Sequence, residues 1–200
     1  MREIEPAGDG NTPLGEEDAD GLIPGHLTTR ADLNQWEAVN IAQAVTKYST
    51  GRRRDVLAPQ FLHELHRSMF GRTWSWAGSF RRSDNNISPY HWTTVATRLH
   101  DLVENTRAQF ETSEKSEAEL DEIAVRFHHE LVRIHPWPNG NGRHARLATD
   151  LLLRQWGRPA FTWGGGASLA DGGAIRAAYI AALRKADNGD LTVLRAFART

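Results

Sequence analysis

Apolar residues recur along most of the chain at the three- and four-residue spacing of amphipathic helices. This spacing predicts seven helices, at about residues 29–48, 59–71, 93–111, 116–134, 142–156, 171–186 and 190–199. One such stripe, in the fourth predicted helix, consists of Leu120, Ile123, Phe127, Leu131 and Ile134. Because helical periods dominate and no internal repeat is present, we expect an all-α bundle formed by one domain.

Residues at the predicted helix ends support these boundaries. Thr29 with Asp32, and Ser116 with Glu119, have the spacing of a capping box, in which each side chain binds the backbone N–H group of the other residue. Pro59 stands at the start of the second predicted helix, where proline is favoured. Local sequence therefore indicates where three of the helices begin.

Two stretches depart from the helical pattern. Residues 78–92 are rich in turn-forming residues and have no helical period, so we predict a short β-hairpin or flap there. Residues 1–20 contain seven acidic residues and one basic residue among Gly and Pro, a composition that is typical of a flexible segment. We therefore divide the chain into a flexible acidic tail, residues 1–28, and a folded domain, residues 29–200.

Composition narrows the classes of function. The 24 Lys and Arg residues nearly balance the 25 Asp and Glu residues, so no overall field attracts nucleic acid or an acidic membrane surface. No apolar run reaches the roughly 18 residues of a membrane span. The chain contains no cysteine, which excludes disulfides and thiol catalysis and agrees with a cytoplasmic location. Any binding of anions must therefore come from a local cluster of residues.

The segment from residue 135 to residue 146 contains such a cluster. Its Pro-Asn-Gly and Asn-Gly sequences are turn signals, so a tight connector between two helices is the simplest interpretation. Gly140 and Gly142, however, allow a positive φ and let successive N–H groups approach an anion at the start of the next helix. Arg143 and Arg146 lie in the first turn of that helix, where each cation opposes the helix dipole by roughly 0.3–1 kcal/mol. A bound phosphate would offset this cost, so we predict a phosphate cradle.

His135 lies at the edge of this predicted cradle, at the end of the preceding helix. A histidine with a pKa near neutrality can remove a proton from a hydroxyl group that attacks a bound phosphate. Together these residues predict transfer of a group from a phosphoanhydride to a protein hydroxyl. In such reactions positioning and charge stabilisation do most of the catalysis.

The same residues resemble a known family signature. The segment His135-Pro-Trp-Pro-Asn-Gly-Asn-Gly-Arg143-His-Ala-Arg146 is similar to the Fic/Doc signature, His-x-Phe-x-(Asp/Glu)-Gly-Asn-Gly-Arg-x-x-Arg. The resemblance covers about residues 30–198 and is closest to the subgroup called mobile mystery protein B. It implies a Fic-type helical bundle in which a β-hairpin flap, with Arg82 or its neighbour Arg81 and with Ile87, docks the target protein.

The resemblance also implies a reaction and its residues. The protein would be an adenylyltransferase that transfers AMP from ATP to a Ser, Thr or Tyr hydroxyl of a target protein, with His135 as the base. Trp137 would replace the Phe of the signature as the apolar anchor of the loop. The residues implied to bind the nucleotide are Gly140, Asn141, Gly142, Arg143 and Arg146.

One position departs from the signature. Asn139 stands where the family has Asp or Glu, the carboxylate that holds Mg²⁺ against the nucleotide phosphates. A neutral amide oxygen is a poorer ligand for Mg²⁺ than a carboxylate, so the metal site implied at Asn139 is weakened. Two hypotheses therefore stay open. One is an active adenylyltransferase, and the other is a weak or inactive nucleotide-binding component of a toxin–antitoxin-like system.

The family also implies a form of regulation, because many members are held inactive by a glutamate on an inhibitory helix. Glu37, in the first predicted helix, is the best candidate to reach Arg146. Leu33 and Ala38 depart from the usual Ser/Thr-x-x-x-Glu-Gly/Asn pattern around that glutamate. An exposed helix glutamate is the alternative, with inhibition supplied by an antitoxin or another partner.

The pair His63 and His66 invites a metal-binding interpretation. Histidines three positions apart share one face of a helix. The spacing is nevertheless one residue shorter than in His-Glu-x-x-His, and no third ligand is apparent. We therefore predict a structural or surface role for this pair.

Overall fold

The computed structural model describes residues 19–27, 29–52, 54–165 and 173–200. Its α-helices are α1 (Arg30–Thr50), α2 (Pro59–Phe70), α3 (Val95–Thr112), α4 (Glu117–Ile134), α5 (Asn141–Gln155), α6 (Ala174–Asp187) and α7 (Thr192–Arg199), with a short 3-10 helix at Trp92–Thr94. These residues contain no named strand, which confirms the predicted all-α fold class. The first two residues of the helix predicted at 171–186 lie outside the described residues. Across the described ranges, no helix has the length and apolar character needed to cross a bilayer.

The predicted capping boxes are present at the starts of α1 and α4. The Thr29 hydroxyl oxygen accepts from the Asp32 N–H group at 3.1 Å, and the Asp32 carboxylate accepts from the Thr29 N–H group at 3.2 Å. Ser116 and Glu119 form the same reciprocal pair before α4. Each box satisfies two of the N–H groups that lack partners at a helix start, so local sequence defines both starts.

Helices α4 and α5 form the centre of the bundle, with other helices packed on both sides. On one side, α1, α2 and α3 contribute to a core that contains Leu62, Leu65 and Met69, the predicted inner face of α2. On the other side, α6 and α7 enclose a second cluster with Phe161 and Trp163. The predicted apolar stripe of α4 is buried. The loop between α4 and α5 therefore begins and ends on the two central helices of the fold.

Residues 78–91 are not helical, as predicted, but they form turns and bends rather than the predicted β-hairpin. Their backbone groups bond to side chains instead of to an opposite strand. The Arg81 guanidinium donates to the carbonyl oxygens of Ser83 at 2.8 Å and Tyr90 at 2.6 Å. The Asn85 side-chain oxygen accepts two further backbone N–H groups. Because side chains already satisfy these polar groups, few remain for a strand ladder.

The last part of the predicted tail packs against the folded domain. The Gly21 carbonyl accepts from the Ser75 N–H group at 2.9 Å, and the Ile23 N–H group donates to the Thr73 carbonyl at 2.8 Å. Leu27 is buried. Residues 19–27 therefore belong with the domain rather than with the tail predicted over residues 1–28. Residues 1–18 of that predicted tail lie outside the described residues.

Candidate functional site

His135 ends α4 in a left-handed backbone conformation. Its φ of 51° and ψ of 59° lie in a region that residues with a side chain rarely adopt. The cost is roughly 1 kcal/mol, and strain of this kind clusters at functional sites. Arg81 of the flap stabilises this turn with two hydrogen bonds. Its side-chain Nε donates to the His135 carbonyl at 2.9 Å, and its backbone N–H group donates to the Pro136 carbonyl at 2.9 Å.

The His135 side chain is buried, and its Nδ1 lies 3.2 Å from the Val132 carbonyl oxygen. Because a carbonyl only accepts, Nδ1 carries the proton, and Nε2 of the neutral ring holds the lone pair. Burial lowers the pKa of His135 to about 4; the Val132 carbonyl opposes this shift, and the Arg81 guanidinium adds to it. His135 is therefore neutral at pH 7, with one ring nitrogen able to accept a proton.

Trp137 and Asn141 hold the loop after His135 in shape. Trp137 is fully buried, and its ring stacks on those of His66 and Phe80. Asn141 Oδ1 accepts from the Trp137 N–H group at 2.9 Å, and its Nδ2 donates to the Trp137 carbonyl at 2.7 Å. The Asn141 side chain is thus committed to the loop, and its contribution to anion binding would come from the backbone N–H group.

Gly140 and Gly142 differ in what the backbone requires of them. Gly140 has a φ of 80°, and a Cβ at this position would lie 2.6 Å from the Phe70 ring. Gly142 lies in the first turn of α5 with a helical backbone, so the positive φ predicted for it is wrong. The helix begins at Asn141, so Gly142 already has the helical backbone conformation rather than that of a turn. A Cβ on Gly142 would meet the Arg146 Nη1 at 3.8 Å, so that guanidinium lies over the first turn.

The start of α5 has the properties of an anion cradle. The N–H groups of Asn141, Gly142 and Arg143 have no acceptor within the helix, as in any first turn. The positive end of the helix dipole lies at the same place. Arg143 and Arg146 add two guanidinium groups, and the first turn contains no acidic residue. Donors and positive charge therefore lie together where the sequence predicted phosphate.

Glu37 of α1 lies against this cradle, but it contacts Arg143 rather than the predicted Arg146. Its Oε2 accepts from the Arg143 Nη1 at 2.6 Å. Its Oε1 accepts from the Trp74 indole N–H group, also at 2.6 Å. Glu37 is only 3% exposed, so the alternative of an exposed helix glutamate is wrong.

Arg146 lies beside polar groups of α4, α5 and α6. Its guanidinium carbon is 5.4 Å from the centre of the Tyr179 ring, and the Tyr179 hydroxyl is 2.9 Å from His128 Nε2. Asp150, one turn further along α5, accepts from the Trp163 indole N–H group. Burial raises the pKa of Asp150 to about 7, against the opposing effects of Trp163 and Arg146.

Asn139, the position of the implied metal site, bonds to groups of the protein itself, and its role as a metal ligand stays a prediction. Its Oδ1 accepts from the Gly140 N–H group at 2.5 Å, and its carbonyl oxygen lies 3.0 Å from His66 Nε2. Both oxygens are thus engaged within the protein. Among the described residues, no group of three or more His, Asp or Glu side chains could hold a metal ion. The loop therefore offers Mg²⁺ a neutral amide oxygen that already accepts a hydrogen bond, a weaker ligand than the carboxylate that the resemblance implies.

The two adjacent arginines of the flap differ in burial. Arg82 is exposed and Ile87 is half-buried, and both stay predictions as target-docking residues. Arg81, by contrast, is 3% exposed and binds the backbone of both the flap and the loop at His135. The sequence could not show which of these two adjacent arginines is buried, because the segment has no periodic pattern of apolar residues.

These features define a helical protein with partly exposed positive charge and N–H donors suited to an anion at a helix start, and with a buried histidine in the loop before it. Residues 56–153 match the sequence model of the Fic/DOC family, and the chain belongs to that family. The match is to the family as a whole, so the subgroup named from the sequence stays a prediction.

Solved structures of Fic-domain proteins have the same fold. BepC of Bartonella tribocorum, solved with bound AMPPNP, has a TM-score of 0.72 at 16% identity, over 92% of this chain and 97% of that one. The N-terminal Fic domain of a Bartonella quintana Bep effector, solved with bound ADP, has a TM-score of 0.66 at 16% identity, over 88% of this chain and 86% of that one. Fic-1 of C. elegans has a TM-score of 0.63 at 24% identity, over 92% of this chain and 52% of that one. At these identities the agreement concerns the fold.

Proposed function

We propose that this protein is a Fic-type adenylyltransferase, which transfers AMP from ATP to a hydroxyl group of a target protein. The observation that carries the proposal is the neutral His135 ring, with its lone pair on Nε2, in the loop that leads into the cradle of α5. Membership of the Fic/DOC family supports it. The AMPPNP bound to BepC and the ADP bound to the Bartonella quintana domain support nucleotide binding on this fold.

In the proposed reaction, His135 Nε2 accepts the proton of a Ser, Thr or Tyr hydroxyl while the hydroxyl oxygen bonds to the α-phosphorus of ATP. The bond from the α-phosphorus to the bridging oxygen of the β-phosphate breaks, and pyrophosphate leaves with the electron pair. The backbone N–H groups at the start of α5 and the guanidinium groups of Arg143 and Arg146 stabilise the phosphate charge. Because a low pKa makes His135 a weak base, this stabilisation would carry most of the rate enhancement.

Glu37 would regulate the reaction by competing with the nucleotide. Its carboxylate holds Arg143, one of the two guanidinium groups proposed to bind phosphate. An incoming phosphate must share or displace this carboxylate, since two anions on one guanidinium repel each other. In this proposal the Glu37–Arg143 pair represents an inhibited state that needs no antitoxin.

The second candidate is a nucleotide-binding component of a toxin–antitoxin-like system that lacks efficient catalysis. Asn139 favours it, because the Oδ1 atom bonds the Gly140 N–H group and supplies no charged ligand for a metal. In this case the protein would bind ATP at the same cradle and form no covalent product.

The experiment that separates these candidates is incubation with ATP labelled at the α-phosphate, alone and with Mg²⁺ or Mn²⁺, followed by detection of labelled protein. His135→Ala is the test variant, and His100→Ala, on an exposed position of α3, is the matched control. Because the Glu37–Arg143 pair would inhibit the wild-type protein, all variants also carry Glu37→Gln, which removes the competing charge. We expect labelling by Glu37→Gln alone and with His100→Ala, and none with His135→Ala. Labelling that survives His135→Ala would contradict the mechanism. ATP binding without labelling in Glu37→Gln would favour the second candidate.

A further inference from the structure

Two histidines of α2 lie between the flap and the loop that precedes the cradle. His66 is fully buried, and His63 precedes it by three residues on the same face of the helix. His63 Nδ1 lies 2.7 Å from the Gly78 carbonyl oxygen, to which it donates. Both backbone polar groups of Gly78, at the start of the flap, are bonded by this pair.

The hydrogen bonds of His66 define which of its nitrogens carries the proton. The Gly78 N–H group donates to His66 Nδ1 at 2.9 Å, so Nδ1 is an acceptor without a proton. Nε2 therefore carries the proton and donates to the Asn139 carbonyl oxygen at 3.0 Å. The ring stacks on Trp137 with 4.7 Å between ring centres, and this contact fixes its orientation. Burial, with a smaller effect of the neighbouring His144, holds the pKa of His66 well below its usual value, so this neutral form persists at pH 7.

The carbonyl that His66 holds belongs to the same peptide unit as the Gly140 N–H group. In a planar trans peptide the C=O and N–H groups point in opposite directions. Holding the Asn139 carbonyl toward α2 therefore directs the Gly140 N–H group away from α2. Glycine tolerates more backbone conformations than any other residue type. Without the bond from His66, the peptide between Asn139 and Gly140 could therefore rotate and direct its carbonyl oxygen toward the cradle. An oxygen in that position would repel a phosphate.

We propose that His66 is a positioning residue for the nucleotide site: its Nε2–H group holds the Asn139 carbonyl, and this keeps the Gly140 N–H group available to the phosphates. Through Nδ1 the same ring joins this loop to the flap at Gly78. The inference rests on the nucleotide-binding role proposed for the cradle. The Gly140 N–H group bonds the Asn139 Oδ1 atom, an acceptor that a phosphate oxygen would replace.

The test compares two substitutions of His66 by an amide residue, each of which keeps one of its two hydrogen bonds. His66→Gln retains an N–H donor near the position of Nε2 and can still hold the Asn139 carbonyl. His66→Asn retains an acceptor near the position of Nδ1 and keeps only the bond to Gly78. The matched control is His63→Gln, since His63 bonds the flap and makes no hydrogen bond to residue 139.

Binding of ATP and deuterium exchange of the backbone amides are measured on the full chain. We expect His66→Asn to weaken ATP binding about tenfold, the effect of losing one well-placed hydrogen bond. We also expect faster exchange at residues 139–142 in this variant without nucleotide. His66→Gln and His63→Gln should stay within about threefold of the wild-type affinity and show unchanged exchange in these residues.

Equal losses in His66→Asn and His66→Gln, or wild-type binding and exchange in His66→Asn, would overturn the role of His66. If the wild-type protein does not bind ATP, the proposed function fails, and the exchange measurement still decides whether His66 orders the loop. If the variants unfold, nitrogen-15 NMR of wild-type His66 decides instead. A proton on Nε2 is the expected result, and a proton on Nδ1 would overturn the proposal.

Discussion

Glu37 and Arg143, 106 residues apart in the chain, form an ion pair with 2.6 Å between Oε2 and Nη1. The carboxylate is almost completely buried, whereas the guanidinium stays partly exposed. Trp74 holds the second oxygen of the same carboxylate. The pair joins α1 to the first turn of α5, so an anion that binds Arg143 must compete with a carboxylate that is already in place.

Replacement of Glu37 with glutamine is expected to strengthen ATP binding about tenfold and to lower the free energy of unfolding by about 1–3 kcal/mol. The substitution removes the competing negative charge, but it also weakens the bonds to Arg143 and Trp74. Calorimetric titration with ATP and urea unfolding measure the two effects.

The control for this prediction is Glu64→Gln, which removes an exposed ion pair with Arg54 of the same 2.6 Å length. We expect that control to change the free energy of unfolding by less than about 1 kcal/mol and to leave ATP binding unchanged. If Glu37→Gln lowers stability while ATP affinity stays constant, the pair has a structural role and the inhibitory proposal is wrong.

Replacement of Asn139 with aspartate is expected to make ATP binding depend on Mg²⁺. Aspartate supplies the charged oxygen that Mg²⁺ prefers. Without a metal, the new charge next to the Gly140 N–H group should weaken ATP binding, because it repels the phosphates. Titration of the wild-type protein and the variant with ATP, in EDTA and in Mg²⁺, measures this difference. Identical metal dependence in both proteins would contradict the account of Asn139 as a missing ligand.

Replacement of Gly140 with alanine is expected to destabilise the protein by about 2–4 kcal/mol, since a strained φ of 80° combines with a Cβ 2.6 Å from the Phe70 ring. Gly157 has a similar φ of 76°, but a Cβ there would meet nothing within 4 Å. Gly157→Ala should therefore cost only about 1 kcal/mol, the strain alone. Thermal unfolding of both variants checks the difference, and equal losses would show that the contact with Phe70 does not matter.

The stability of the protein is expected to fall steeply as the pH decreases from 7 to 5. Burial lowers the pKa of His128 and of His144 to about 3, and that of His135 to about 4. Below pH 6.5 the unfolded chain binds a proton at each of these histidines and the folded protein does not. Each group therefore removes up to about 1.4 kcal/mol per pH unit until the folded pKa is reached.

Asp150 opposes this trend, because its pKa is raised to about 7. Between about pH 4 and pH 7 the folded protein binds a proton there that the unfolded chain releases, so this single group adds stability as the pH falls. The three histidines outweigh it. Urea unfolding at pH 7, 6 and 5 measures the net slope, and His128→Gln should make the slope shallower. Stability that is constant from pH 7 to pH 5 would contradict the buried neutral histidines.

Much of the fold could be predicted because its signals are local. A capping box, an apolar period or a glycine before a helix acts within one or two turns of the chain. The helices, the two capping boxes and the positive φ of Gly140 follow from such signals. The β-hairpin predicted at residues 78–92 did not form, because carbonyl groups of the segment bond to the Arg81 side chain rather than to backbone N–H groups of an opposite strand. Turn-rich composition shows that a segment is not helical, but it does not show what satisfies its backbone.

By itself, the sequence determined the helical bundle and the cradle-forming segment at residues 135–146, since both are encoded by neighbouring residues. Only the tertiary structure decided that Glu37 meets Arg143, that His66 holds the Asn139 carbonyl and that Arg81 holds the carbonyl of His135. The partners in these contacts are 106, 73 and 54 residues apart. Whether such residues meet depends on how α1, α2 and the flap pack against α4 and α5, and no local period or cap encodes that packing.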